Sequence, residues 1–65
     1  MNKVKLSRSG NFVTLTEMSN GTFIVEVRSQ DGYIYTSNTL RLSQEAIRLF
    51  DAYLAAEENK ELPEA

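Results

Sequence analysis

The first half of the chain alternates apolar and polar residues with period two, and glycine-bearing turns cut that alternation into strands. Strand one runs from about Lys3 to Arg8, strand two from about Asn11 to Met18, and strand three from Thr22 to Ser29. Ser9-Gly10 reads as a two-residue loop, which sets Leu6 opposite Val13 and Val4 opposite Leu15. At the second turn the loop length decides the register. A two-residue Asn20-Gly21 loop would set Val13 against Arg28 and Leu15 against Glu26. A three-residue Ser19-Asn20-Gly21 loop sets Val13 against Val27 and Leu15 against Val25. A slip of one residue turns every side chain over, so the apolar pairing selects the longer loop, with Gly21 in the left-handed position of a bulged hairpin. Glu17 then falls on the apolar side, opposite Phe23, near the sheet end where water reaches it.

Asp31-Gly32 is a type I′ signal. It pairs Arg28 with Tyr35 and Gln30 with Tyr33 and turns Ile34 inward. The strand that starts at Tyr33 loosens around Ser37-Asn38 and resumes as a short fourth strand, with Leu40 and Leu42 inward and Arg41 outward. One face then reads Val4, Leu6, Val13, Leu15, Phe23, Val25, Val27 and Ile34, and serves as a core. The other reads Lys3, Lys5, Thr14, Thr16, Met18, Thr22, Arg28, Tyr33 and Tyr35.

From Ser43 the period changes to that of a helix. Ser43 is a favourable N-cap, Glu45 suits the positive end of the helix dipole, and the helix runs from about Gln44 to about Glu58. Ala46, Ile47, Leu49, Phe50, Tyr53 and Leu54 form one apolar stripe, with Gln44, Arg48, Asp51, Ala55 and Glu58 opposite. Such a stripe is wide for a helix on one small sheet, which points to a homodimer interface around Phe50, Tyr53 and Leu54. The fold class is therefore α+β: a four-stranded antiparallel meander, then one helix on one sheet face. Residues 1–58 form a single domain, and 59–65 an acidic, flexible tail.

Composition narrows the chemistry. A chain of 65 residues buries only about 60% of the surface its unfolded form exposes, so self-association is a natural source of stability. There is no cysteine and no histidine. Disulfides and the usual zinc sites are excluded, and so are the commonest general base and the strongest nucleophile. No cofactor and no metal is expected, and the chain reads as non-catalytic. Glu17 and Glu26 fall on opposite faces, Asp31 favours a turn backbone, and Glu57-Glu58 reads as a solvated helix end. No segment has the apolar length of a membrane span, so the expected location is cytoplasmic or nucleoid-associated. The net charge is −2. Residues 1–56 hold six bases against five acids, and the remainder holds Glu57, Glu58, Glu61 and Glu64 against Lys60, so the acidity sits at one end.

The outer face combines cations with aromatics, as single-strand binders do: charge follows the phosphates while bases stack on rings. Lys3, Lys5, Arg28 and Arg41 oppose one acid there, Glu26. Tyr33, Tyr35 and Met18 would carry bases, and Thr14, Thr16 and Thr22 would donate hydrogen bonds. Two other readings stay open. Tyrosine and threonine are favoured in strands whatever they bind. Met18, Ile24, Tyr33 and Tyr35 would also make an apolar patch for a protein partner.

The stretch Phe12 to Arg28, followed by Thr39 to Phe50, resembles the positive cofactor four family of transcriptional coactivators, with its bacterial and phage relatives. The likeness covers about 40 residues as a pattern of apolar positions, one hairpin and an apolar-x-apolar-Ser helix entry. Whirly and Pur-type proteins share similar strand-and-helix units. The resemblance implies a four-stranded sheet with one helix, a homodimer, and single-stranded DNA held across the outer sheet in support of transcription, replication or recombination. By the same resemblance Arg28 stands at a family arginine and Tyr35, or Tyr33, near a stacking aromatic. Met18 replaces a family phenylalanine, Thr22 and Ser19 replace hairpin lysines, and Thr16 replaces an arginine. The alternative it leaves is a protein-interaction module of the same fold.

Overall fold

A computed structural model describes residues 1–60. Four strands, β1 (Asn2–Leu6), β2 (Phe12–Glu17), β3 (Phe23–Arg28) and β4 (Ile34–Leu40), form one antiparallel sheet in the order β1-β2-β3-β4. One helix, α1 (Ser43–Glu58), follows and packs on one face, over β2, β3 and β4. The fold is thus the predicted α+β meander and helix. The part of the acidic tail from 61 to 65 lies outside the described residues.

The central hairpin has the predicted register: Val13 faces Val27, Leu15 faces Val25 and Glu17 faces Phe23. Val13, Leu15 and Val25 are fully buried and, with Val27, Phe23, Ala46 and Phe50, make up the core. Glu17 stays exposed and binds the amino group of Met1.

The first hairpin departs from the prediction. Lys3 lies opposite Leu15, Lys5 opposite Val13, Val4 opposite Thr14 and Leu6 opposite Phe12. The loop has three residues, Arg8-Ser9-Gly10, closed by a hydrogen bond from the Ser7 amide to the Asn11 carbonyl at 2.9 Å. The cause lies in the backbone. A two-residue type I′ loop needs positive φ at both central positions, so Ser9 would have to be left-handed. Only glycines have positive φ among the described residues, and Gly10 stands at +90°. The extra loop residue turns β1 over. Val4 and Leu6 point away from the helix and are exposed, and Lys3 and Lys5 lie on the helix side. Lys3 Nζ sits 5.6 Å from the centre of the Phe50 ring.

The third turn shows the same correction. Its loop is Gln30-Asp31-Gly32, closed by the Ser29 amide on the Tyr33 carbonyl at 2.7 Å, with Gly32 at φ +96°. Arg28 therefore pairs with Ile34, not Tyr35, and Ile34 is exposed on the outer face. The register then shifts between Val27 and Arg28, and Val27 pairs with Thr36. Tyr35 is the extra residue of a bulge. Beyond it β4 continues without a break at Ser37-Asn38, with Thr36, Asn38 and Leu40 half-buried toward the helix.

Leu42 is exposed rather than in the core, and it occupies the N-cap position without a side-chain cap bond. Ser43 is the first helical residue, because the strand ends at Leu40 and leaves only two residues for the connection. The apolar stripe of α1 faces the sheet. Phe50 is in the core, and Ile47, Leu49, Tyr53 and Leu54 pack against it. Tyr53 also holds Asn38 through its hydroxyl. Of the predicted interface residues, Phe50 is buried within the chain, and Tyr53 and Leu54 are half-buried against the core.

Glu57 is not a solvated helix end. It is buried, and its carboxylate accepts hydrogen bonds from Ser9 Oγ at 2.7 Å and Asn11 Nδ2 at 2.9 Å, with Lys60 Nζ at 2.6 Å. The backbone amide of Arg8 donates to Glu58. The end of the helix is thereby tied to the first turn.

Candidate interaction face

The register distributes the predicted binding residues over separate surfaces. Thr14, Thr16, Met18, Thr22 and Arg28 lie on the outer face by strand alternation. Lys3 and Lys5 lie on the helix side of β1, at one edge of the sheet. Tyr33 and Tyr35 flank the outward Ile34 and so fall on the helix side of β4, at the other edge. The helix packs on the strands between these two edges. Arg41 is exposed in the connection between β4 and α1. The expected single surface of cations and aromatics is therefore not assembled.

Charge on the outer face is balanced. Arg28 is its one cation, and Arg28 Nη1 lies 3.8 Å from Glu26 Oε1 on the same strand. Thr14 is buried at the centre of the face. The Thr22 hydroxyl is committed to Asn20 at 2.6 Å within its turn. The Thr22 hydroxyl is therefore not free to donate to a ligand without rearrangement.

Apolar groups dominate what remains. Leu6, Phe12, Arg28 and Ile34 form one continuous row across all four strands, because each is paired with the next. Val4 sits beside it and is 68% exposed. Ile24 and Met18 extend the same face toward the other end. A shallow groove of about 290 Å³ runs along it, lined by Val4, Phe12, Thr14 and Arg28 and by the third turn. The signal for this face was present in the sequence. Had the first and third loops been read with the same three-residue geometry as the second, Val4, Leu6 and Ile34 would have turned outward.

The tyrosine pair is a second open feature. The rings of Tyr33 and Tyr35 meet edge to face with centres 5.1 Å apart, and the residues are 66% and 57% exposed. Among the described residues no cluster of acidic side chains is arranged to hold a metal ion, and no helix is long and apolar enough to cross a membrane. No family model matches the chain, and no curated protein or solved structure matches it.

Proposed function

We propose that the chain is a non-catalytic binding module that docks a protein through the open face of its sheet. The observation that carries this reading is the row Leu6, Phe12, Arg28 and Ile34, which leaves large apolar side chains in water around a single ion-paired cation. Contiguous exposed apolar surface of this kind marks interaction sites. A nucleic-acid face needs the opposite balance, with several unpaired cations along the backbone track.

The test is capture from lysate with and without nuclease. Bound proteins should survive nuclease, be lost with Ile34→Lys and be kept with Tyr35→Ala. Retention of the same proteins by Ile34→Lys would reject the face as the docking surface.

Single-stranded nucleic acid is the second reading, favoured by the Tyr33–Tyr35 pair at the β4 edge. Polarization titration with a labelled oligonucleotide decides it. Binding at low salt that is lost with Tyr35→Ala would support it, and its salt dependence should be shallow because few phosphates can be met. Absence of binding at low salt removes it.

A further inference from the structure

The outer face carries two charges, Glu26 and Arg28, neighbours on β3 and both pointing outward. The residues paired with them on the adjoining strands are uncharged: Thr14 and Ser37 beside Glu26, Phe12 and Ile34 beside Arg28. The face is neutral as a whole and carries one positive and one negative position in successive rows.

We propose that this face is covered by a second copy of the same chain, the two sheets packed face to face. The proposal rests on the reading of the face as a protein-docking surface and names its partner. A two-fold axis lying across the strands, between the Glu26 and Arg28 rows, sets β3 of one copy antiparallel over β3 of the other. Arg28 of each copy then stands over Glu26 of its mate. In the same register Leu6 meets Val4, and Phe12 meets Thr14. Such an interface is isologous, so one pair of charges satisfies both copies at once. The near-parallel alignment of strands is the usual one for two packed sheets, at a spacing of about 10 Å.

Two further observations favour a second copy. The core is small: among the described residues seven apolar side chains are buried, and the largest that are fully buried are Leu15, Val13 and Val25. Small scaffolds without disulfides or metals gain stability by association. The helix offers less apolar surface, because Ala46 and Phe50 are buried and Ile47, Leu49, Tyr53 and Leu54 are half-buried against the core.

The size of the face sets the strength. Four strands about 4.8 Å apart and the two rows, about 7 Å apart, that overlap about this axis span about 270 Å² per copy before side-chain relief. Both copies together bury about 700 Å² with relief counted, below the size of stable specific interfaces, so the association is expected to be weak and to show toward millimolar concentration.

Sedimentation equilibrium of the full chain, from micromolar to millimolar concentration, tests the proposal. The wild type should pass from monomer to dimer. Arg28→Glu sets like charges over one another and should lose the dimer, and the double swap E26R/R28E should restore it. Ile34→Lys should also lose it, with circular dichroism unchanged in every variant. Restoration by the double swap separates a lost contact from a misfolded chain. A wild type that stays monomeric overturns the proposal, as does a dimer indifferent to all three variants. A monomer that still binds an anilinonaphthalene dye, with binding lost in Ile34→Lys, would leave the docking face standing and remove only the self-partner. A monomer that binds no dye would remove both.

Discussion

Glu57 shows how one side chain can join distant parts of a small fold. Burial alone would raise its pKa, but hydrogen bonds from Lys60, Asn11 and Ser9, with the charge of Lys60, outweigh this and hold the carboxyl below its ordinary 4.5. A depressed carboxylate contributes stability that is complete above its unfolded value and is lost as pH falls through the folded one. Glu57→Ala should therefore cost about 1–3 kcal/mol at neutral pH, since Ser9 and Asn11 lose their acceptor. Urea unfolding at a series of pH values checks this: the gap between wild type and variant should close below pH 4.5 and stay open above it. Gly32 permits a cleaner test of backbone preference. A Cβ there would meet nothing within 4 Å, so substitution feels only the left-handed φ of +96°. Gly32→Ala should cost about 1–2 kcal/mol by urea midpoint, and Gly32→Asn less, because asparagine tolerates that region.

Among the strands and turns, loop length governs which face each side chain takes. All three hairpins have a three-residue loop ending in glycine, and the outer two thereby turn Val4, Leu6 and Ile34 to water. Backbone sterics won over the burial of those side chains, because the helix packs mainly on β2, β3 and β4 and gives β1 little to bury against. The bulge at Tyr35 then restores the alternation, so that Asn38 and Leu40 still reach the helix. Deleting Tyr35 should be tolerated to within about 1 kcal/mol, since Ile34 can keep Arg28 and Thr36 can keep Val27 without a slip. Cross-strand proton contacts between Val27 and Thr36 in the Tyr35 deletion report the register directly.

One layer of helix on one layer of sheet leaves the sheet's second face to solvent, and the distribution of residues between the faces sets both stability and binding. Leu15→Ala should cost about 2–5 kcal/mol, because Leu15 is fully buried between β1, β3 and the helix. Val4→Ala should cost under about 0.5 kcal/mol when measured at concentrations where the chain is monomeric, since Val4 is exposed there. Chemical denaturation of the pair checks whether β1 has the described orientation: equal costs would contradict it. The expected nucleic-acid surface was legible only in part. Thr14, Thr16, Met18, Thr22 and Arg28 lie where the central hairpin put them. Lys3, Lys5, Tyr33 and Tyr35 depended on the outer hairpins, and one added loop residue in each moved them to the helix side.

Local information was enough for the number of strands, their antiparallel meander, the central register and the helix. Each of these follows from a period, a turn residue, or the mutual burial of Val13, Leu15, Val25 and Val27. The orientation of the two edge strands needed the folded chain. An edge strand has one neighbour and little cover, so hydrophobic pairing constrains it weakly, and the turns decide: the cost of a left-handed Ser9 in the first, and the hydrogen bonds of Ser29 Oγ with Asp31 and with the Tyr33 amide in the third. The same holds for Glu57, whose burial depends on Ser9 and Asn11, some 48 and 46 positions earlier in the chain.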